Sequence, residues 1–477
     1  MMRITTTLLS LALASQIAMP PAQAETVLRL SGSNTIGQRL VADLAKTFST
    51  KAGFPVTRIE NGADPEAYDV VSTRSEDDNA LRIKVEAQGT GTGAIRLLGG
   101  AADFWMASRQ ARQSDLDGVR AQGILGLPKL DELLSEKSEH TIALDALRII
   151  VSPNNPVRTL TVAQLRQIYV GEVRNWAAVG GPNAPIALYG FGRASGNFDS
   201  FCGLVMGITN GDKCQKEMAP LAASFKSNED LSDAVASDPA GIGYVGFGYQ
   251  RSAKGIAIST NCGTTVQPNA FSVKADEYPL ARRLYFYSAG PLTEMAAKFL
   301  QFVESDEAQT VIEGAGFIDF RAANAPENYA TGRLETAGNA LDNGRTKIRP
   351  REIQAFEDNI TGATRLPITF RFQAGSDALD SRSVTDLSRL AATMKTKPFA
   401  TSELILIGFT QAQGDYEANR ETSRERAKLV ADRLSTGFSV KAAATVGVGP
   451  TAPVACNLDP EARWLNQRVE AWVRPGK

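Results

Sequence analysis

Residues 186–205 read IALYGFGRASGNFDSFCGLV, and this stretch decides the fold expected for the first part of the chain. Ile186 to Tyr189 predicts a short strand, and Gly190 to Asn197 predicts a polar loop. The loop contains Arg193, Ser195 and Gly196. Apolar residues then recur at helical spacing at Phe198, Phe201, Leu204 and Val205. A strand, a Ser/Gly loop and a helix N-terminus in this order aim backbone N–H groups at one point.

Related segments precede this stretch along the chain. In two of them a short apolar strand is followed by a polar, glycine-containing turn and a helix. The third is a short strand that ends at a Ser-Arg pair. The segments are Val27–Leu30 with Ser31–Thr35, Leu81–Ala87 with Gly89–Gly93, and Asp103–Ala107 with Ser108 and Arg109. We therefore expect several loops of the same kind at one edge of a sheet.

Three Ser/Thr/Gly loops that each open a helix are suited to a tetrahedral anion. Glycine permits close approach of the backbone, and hydroxyl groups add further donors. Each hydrogen bond to a charged group contributes about 1.5–3 kcal/mol. Several such bonds would bind an oxoanion without a metal or another cofactor, and none is expected.

Residues 28–320 resemble the PstS-type phosphate-binding proteins. Seven segments carry the resemblance in the order of that family. They are Gly32–Thr35, Gly89–Gly93, Ala102–Arg109, Leu160–Pro182, Ser195–Phe201, Asp238–Val245 and Thr293–Gly316. The resemblance implies two α/β lobes with a ligand cleft between them, and hinges near Ile142–Val151 and Ile242–Gly246. The residues it implies at the site are Thr35, Ile36, Thr90, Ser108, Arg109, Ser195, Gly196 and Asn197.

Two departures from the family pattern bear on the ligand. Members of the family usually carry Arg four residues before the Ser of Ser-Gly-Thr, where this chain has Phe191 and its nearest Arg is Arg193. Asn197 replaces the Thr of that motif. Some members have Asp at the position of Arg109 to accept the proton of hydrogen phosphate. Arg109 and Arg193 together could still clamp an anion, so the prediction is phosphate or a related oxoanion.

The C-terminal part begins a new pattern after a polar segment. Residues 321–365 are expected to form a loose linker, with a short helix at Pro350–Asp358. From Leu366 onward, strands and amphipathic helices alternate in the order β-α-β-α-β-β. This order predicts a separate α+β domain with a mixed sheet and helices on one face.

Residues 366–474 resemble the OmpA-like peptidoglycan-binding domain. The matching residues are Phe370–Phe372, Ile407–Thr410, Ser423–Ala427, Val446–Gly449 and Asn466–Glu470. In that family an Asp and an Arg grip diaminopimelate. Arg426 stands at the Arg position, but Gln411 replaces the Asp and Phe409 the preceding His. Because a neutral amide is a poorer acceptor for an ammonium group, peptidoglycan binding is expected to be weakened or redirected. The alternative is a domain that contacts other proteins.

The N-terminus predicts export from the cytoplasm. Met1–Arg3 is basic, Leu8–Met19 is apolar but too short to span a bilayer, and Ala22-Gln23-Ala24 is a cleavage pattern. We expect a signal peptide at residues 1–24, cleaved after Ala24, and a periplasmic protein associated with the cell wall or outer membrane. The net charge of −1 provides no field for binding nucleic acid.

Histidine and cysteine counts restrict the chemistry further. His140 is the only histidine, so a His-rich metal site is excluded and a serine hydrolase lacks its usual base. The four cysteines favour disulfides in an oxidising compartment. Either Cys202 or Cys262 could pair with Cys214, and Cys456 is the fourth; buried thiols are the other possibility.

These observations predict a non-enzymatic solute-binding protein. The domains are expected at residues 25–320, a two-lobed type II-like binding domain, and at 366–477, the OmpA-like domain. The expected partners are phosphate or a similar oxoanion, peptidoglycan and an ABC permease. The alternative function is an envelope adaptor that uses its C-terminal domain for wall or protein contacts.

Overall fold

The computed structural model describes residues 26–75, 80–193, 195–208, 211–260, 263–321, 325, 329, 332, 350–373, 375–458 and 463–476. Its strands are β1 (Thr26–Gly32), β2 (Val56–Asn61), β3 (Ala67–Thr73), β4 (Leu81–Glu86), β5 (Phe104–Ala107), β6 (Glu139–Val151), β7 (Thr159–Thr161), β8 (Ala187–Phe191), β9 (Ala223–Phe225), β10 (Gly241–Gly246), β11 (Lys254–Gly255), β12 (Ala257–Ser259), β13 (Thr265–Val266), β14 (Ala281–Tyr287), β15 (Thr364–Phe370), β16 (Ser402–Phe409), β17 (Ala444–Gly447) and β18 (Arg468–Pro475).

The helices complete the two domains. They are α1 (Val41–Lys51), α2 (Thr90–Leu98), α3 (Gln113–Ala121), α4 (Leu130–Leu133), α5 (Val162–Tyr169), α6 (Gly196–Phe201), α7 (Gly211–Glu217), α8 (Asn228–Ser237), α9 (Ala270–Lys274), α10 (Glu294–Val303), α11 (Asp306–Gly314), α12 (Pro350–Ile360), α13 (Ser381–Met394) and α14 (Tyr416–Phe438). Single π-helical turns lie at Ile36–Leu40 and Cys202–Met206, before α1 and after α6.

The N-terminal domain is organised around a long mixed sheet. Its strand order is β2-β3-β4-β1-β5-β14-β6-β10-β8-β9, and β11 also pairs with β6. β1 runs parallel to β4 and β5, and β10 runs parallel to β8. The antiparallel pair of β14 and β6 joins the two halves of this sheet. The chain crosses between the halves on these two strands.

The hydrophobic cores place the hinge on β6 and β14. Ala143 belongs to the core of lobe 1, which comprises residues 26–143 and 284–317, whereas Leu144 belongs to the core of lobe 2, which comprises residues 144–283 together with Ile318 and Phe320. Leu280, just before β14, belongs to the lobe 2 core, and Leu284 on β14 belongs to the lobe 1 core. The hinge expected at Ile242–Gly246 is wrong, because β10 lies inside lobe 2 and its apolar side chains are buried in the lobe 2 core. β14 is the return crossing.

The C-terminal domain has a four-stranded sheet in the order β15-β18-β16-β17. Successive residues of a strand face opposite sides of the sheet. Leu404 and Leu406 of β16 pack under α13 and α14, while Ile405 and Ile407 pack under α12. The expectation of helices on one face is therefore wrong, since α12 covers the second face. This explains why consecutive residues of β16, from Leu404 to Ile407, are apolar.

The segment at residues 321–365 contacts both domains where the structure describes it. The ring of Tyr329 lies 4.7 Å from that of Phe271 in lobe 2 and 5.9 Å from that of Trp472 in the C-terminal domain. The Tyr329 hydroxyl donates to Glu277 at 2.8 Å. On the second face of the C-terminal sheet, Phe356 of α12 is fully buried and packs edge-on against Phe409.

Phe356→Ala should destabilise the C-terminal domain by about 3–5 kcal/mol, because a large aromatic side chain is removed from a closed core. Denaturant unfolding of the full chain measures the change. Gln354→Ala, at an exposed position of the same helix, should change the free energy of unfolding by less than about 0.5 kcal/mol. Equal effects would show that α12 is not part of this core.

The two domains meet at a buried charge cluster centred on Asp276. Its carboxylate contacts Arg283, Arg382 at 2.7 Å and Arg371 at 3.3 Å. Arg371 and Arg382 belong to the C-terminal domain, and both are buried. Burial by itself would raise the pKa of Asp276, but the three guanidinium groups outweigh burial and hold the pKa well below its ordinary value. The carboxylate is thus charged in the docked state.

The docking of the domains should weaken in acid. Because the pKa of Asp276 is lowered by folding, its contribution is fully present above about pH 4 and declines as the pH falls below that value. Asp276→Asn should lower the melting temperature at pH 7. The difference from wild type should shrink as the pH falls from 4 towards 2.

Calorimetry of the full chain across this pH range measures both effects. Asp276 has a φ of 59°, a conformation that Asn also tolerates, so the substitution tests the charge rather than the backbone. Asp117→Asn, which removes an exposed ion pair with Arg120, is the control. A difference in melting temperature that does not change with pH would contradict the role of this carboxylate.

Candidate functional site

Loops of lobe 1 meet at the carboxyl ends of three neighbouring parallel strands. Gly89 donates its amide to Gly32 at 2.8 Å, and Ser33 donates to Met106 at 2.9 Å. These bonds tie the loops after β4, β1 and β5 together. Gly32 has a φ of 135°, and a Cβ there would lie 2.2 Å from the Met106 oxygen. Glycine is therefore required for this close approach.

Thr35 and Ile36 lie in the first turn of the helix that leads into α1. The amide of Gly37 donates to the Ser33 oxygen at 2.9 Å, so the helix is already formed at this point. Amides of a first helical turn have no acceptor within their own helix. The Ile36 side chain is fully buried in the lobe 1 core, so only its backbone is placed to reach the cleft.

Thr90, Ser108 and Arg109 form a second group beside this turn. The hydroxyls of Thr90 and Ser108 are 3.1 Å apart, and the Ser108 amide donates to the Thr90 hydroxyl at 3.2 Å. Arg109 makes two 2.7 Å hydrogen bonds to the buried carboxylate of Asp115. Within the described residues, these three side chains do not line the cleft between the lobes. Their ligand role stays a prediction.

Lobe 2 contributes the N-terminus of α6. The Ser195 hydroxyl caps this helix by accepting the Asn197 amide at 3.2 Å. The Asn197 side chain donates to Asn228 at 2.6 Å, and Asn228 also accepts the Gly246 amide at 2.9 Å. The loop after β8 is thereby fixed to the end of β10. Arg193, half-exposed in this loop, is paired with Asp212.

The two sets of residues face each other across a cleft of about 680 Å³. Thr35 lines it from lobe 1, and Arg193, Ser195, Gly196 and Asn197 line it from lobe 2. At its deep end the lobes touch, because a Cβ on Gly196 would lie 2.8 Å from the Thr35 hydroxyl oxygen. The charged side chains of the lining are Arg39, Arg193 and Lys226 against Asp145 and Glu229.

The residue that joins both lobes at this point is Arg282 on β14. Its Nη2 donates to the Thr35 hydroxyl at 2.8 Å and lies 3.5 Å from the Gly196 carbonyl oxygen. Its Nε donates to Asp145 Oδ2 at 3.0 Å, directly across the β6–β14 ladder. Nη1 has no acceptor among the described residues. A guanidinium on the hinge thus reaches both helix N-termini.

Arg282 and Asp145 are not among the residues predicted from the sequence, although the sequence contains a signal. Residues 280–287 read LARRLYFY, and an arginine pair inside a strand buried on both sides is unusual. Such a departure from the apolar pattern is expected at functional positions. The position of the pair in the sequence did not show that one guanidinium contacts residues that line the cleft.

In the C-terminal domain, the predicted wall-binding residues are Gln411 and Arg426. The guanidinium of Arg426 packs over the Phe372 ring and contacts Gln467 at 3.2 Å and the exposed Asp377 at 3.3 Å. The Gln411 side chain donates to Gln413 at 2.9 Å. Phe409, at the position of the family's His, is buried beneath the guanidinium of Arg468, 3.9 Å from the ring centroid. It serves the core.

The described cysteines, Cys202, Cys214 and Cys456, are oxidised. Cys202 and Cys214 form a disulfide that ties the end of α6 to α7, which confirms that pairing. Cys456 is also disulfide-bonded. Cys262, the fourth cysteine, lies outside the described residues, as does the predicted signal peptide. No helix among the residues described is both long and apolar enough to cross a bilayer.

Comparison with known families agrees with this architecture. The model of the PBP superfamily domain matches residues 20–307, which is more than half of the chain, and the chain belongs to that superfamily. The OmpA family model matches residues 371–467. The resemblances seen in the sequence, and the predicted order of a two-lobed α/β domain before an α+β domain, are confirmed.

Individual relatives match the N-terminal domain. Protein SphX of Synechococcus elongatus is 31% identical over 231 residues, which cover 46% of this chain and 61% of that protein. The phosphate-binding protein PstS of Borreliella burgdorferi is 23% identical over 245 residues, covering 51% of this chain and 82% of that protein.

Solved structures are similar over the same region. An ABC-type phosphate transport receptor from Vibrio cholerae has a TM-score of 0.45 and 24% identity, covering 61% of this chain and 99% of that chain. A possible phosphate binding protein from Planctomyces limnophilus has a TM-score of 0.46 and 23% identity, covering 66% of this chain and 99% of that chain.

Proposed function

We propose that the N-terminal domain binds phosphate or a related oxoanion in the cleft and performs no catalysis on it. The observation that carries this proposal is the position of Arg282, which contacts Thr35 of lobe 1 and Gly196 of lobe 2. Relatives described as phosphate-binding proteins support the choice of anion. An oxoanion at this point would meet a guanidinium and two helix N-termini, which all favour negative charge.

Arg282 takes the anion-binding role that the sequence predicts for Arg109 and Arg193. Arg109 is committed to Asp115, and Arg193 to Asp212 at the cleft rim. Phe191, where the resembled family has its Arg, is buried in the lobe 2 core. The hinge strand therefore supplies a cation in place of the Arg that the resembled family has at the position of Phe191. Asp145 fixes the direction of the guanidinium and leaves Nη1 for a ligand.

The proposal extends to the setting of the protein. The chain is exported, its signal peptide is cleaved after Ala24, and the receptor works in the periplasm as the solute donor of an ABC permease. Its C-terminal domain contacts peptidoglycan through Arg426, which offers a guanidinium to a carboxylate of the wall. Gln411 provides a weaker acceptor than the Asp of the OmpA-like family.

Arg282→Gln should weaken phosphate binding by roughly 10- to 150-fold. The variant removes charge-assisted hydrogen bonds worth about 1.5–3 kcal/mol, and about 1.4 kcal/mol corresponds to a factor of ten. Calorimetric titration of the full mature chain, unfolded and refolded to remove bound anion, measures the dissociation constant. Sulfate is titrated in parallel to define the anion.

Three controls make this test specific. Arg120→Gln removes an exposed arginine of the same domain and should leave affinity unchanged. Arg282→Lys keeps the charge without the planar fork and should fall between wild type and Arg282→Gln. Combining Arg282→Gln with Asp145→Asn avoids an unpaired buried carboxylate and should still bind poorly. If wild type gives no heat with either anion, the adaptor function replaces this proposal.

Gln411→Asp should increase retention of the full chain on purified peptidoglycan, because it restores an anionic acceptor for an ammonium group. Cosedimentation with cell-wall sacculi measures the bound fraction. Arg426→Gln should decrease retention, whereas Arg424→Gln, at an exposed position of the same helix, should not. If Gln411→Asp and Arg426→Gln both behave like wild type, the C-terminal domain contacts proteins instead.

A further inference from the structure

The N-terminus of α13 crosses the hinge of the N-terminal domain on its outer side. Three consecutive residues at this helix end make three different contacts. Asp380 pairs with Arg283 of the hinge strand at 2.7 Å. Ser381 donates its hydroxyl to Glu139, and Arg382 pairs with Asp276 at 2.7 Å.

Glu139 and Asp276 belong to different lobes. The carboxylate of Glu139 also accepts the Tyr287 hydroxyl at 2.5 Å and the Gln110 amide at 3.1 Å, both from lobe 1. Asp276 follows α9, whose neighbouring apolar residues Val273 and Tyr278 lie in the lobe 2 core. A single turn of helix is therefore bonded to lobe 1, to the hinge and to lobe 2.

This helix end is capped and its contacts are buried. The Asp380 carboxylate caps α13 by accepting the Ser383 amide at 2.8 Å. Ser381, Arg382 and Glu139 each expose 3% or less of their surface. Rotation of one lobe against the other would separate Glu139 from Asp276 and break a contact on one side. The loss of a buried hydrogen bond or ion pair costs free energy, so such rotation is resisted.

The same strand pair connects this contact to the ligand cleft. Arg282 and Arg283 are consecutive in β14 and therefore point to opposite faces of the sheet. Arg282 reaches Thr35 and Gly196 in the cleft, whereas Arg283 reaches Asp276 and Asp380 in the domain interface. The docked arrangement coincides with lobes that touch at the deep end of the cleft.

We propose that the C-terminal domain braces the hinge and holds the two lobes in their closed arrangement. Opening of the cleft then requires α13 to release one lobe. Because coupling between two sites is reciprocal, a ligand that favours closure also strengthens docking of the C-terminal domain. The wall-contacting domain thus regulates how readily the receptor opens. The effect on ligand release rests on the proposed function, whereas the effect on lobe opening does not.

The test uses the full chain with Ser381→Ala and Arg382→Gln combined, which removes the Ser381–Glu139 contact to lobe 1 and the Arg382–Asp276 contact to lobe 2. Spin labels at Lys46 of lobe 1 and Glu172 of lobe 2, both exposed, report the distance between the lobes. Without ligand, the parent should give a single narrow distance distribution. The double variant should add a longer, open population, and Arg424→Gln should match the parent.

A second measurement addresses ligand release on the same proteins without labels. The phosphate dissociation rate should rise by about fivefold or more in the double variant, the lower end of typical coupling between sites. An unchanged distance distribution in a folded double variant would overturn the brace. If the distances change but neither parent nor variant binds phosphate, the brace stands and the proposed ligand is wrong.

Discussion

The antiparallel pairing of β6 with β14 joins the two lobes. One face of this strand pair borders the cleft, and the other contacts the second domain. Arg282 faces Asp145 across this pair, and Arg283 meets Asp276 on the other face. Charged groups this deeply buried are stable only when they are paired. The two ion pairs therefore restrict movement of β6 against β14. This restriction applies to the cleft on one face and to the domain interface on the other.

Arg282 of the hinge strand supplies positive charge to the proposed binding site. The loops of the site supply backbone amides and hydroxyl groups, while the guanidinium comes from the hinge itself. Movement of the hinge must then move Arg282 relative to Thr35 or Gly196. A ligand held by all three favours the closed lobes, because opening would remove one of its partners.

The second domain packs directly against the hinge of the first domain. Its helix α13 begins with Asp380, Ser381 and Arg382, and these residues contact the hinge and both lobes. Tyr329, from the segment between the domains, packs against aromatic rings on each side. The two domains therefore share one interface, and a change in the C-terminal domain at this interface alters the contacts of the hinge.

The sequence alone determined the two domain types and their order, because local patterns of strand, turn and helix indicate them. The loops after β1, β4 and β8 were predicted from a strand, a glycine-containing turn and a helix cap in that order. Of the predicted site residues, Thr35, Ser195, Gly196 and Asn197 line the cleft. The family match confirmed both domains. The tertiary structure decided the rest, since ion pairing joins residues far apart in the chain. It brought Arg282 to Thr35 and Gly196, and it placed α12 on the second face of the C-terminal sheet. These contacts join residues that are far apart in the chain, so no helical or strand periodicity could have revealed them.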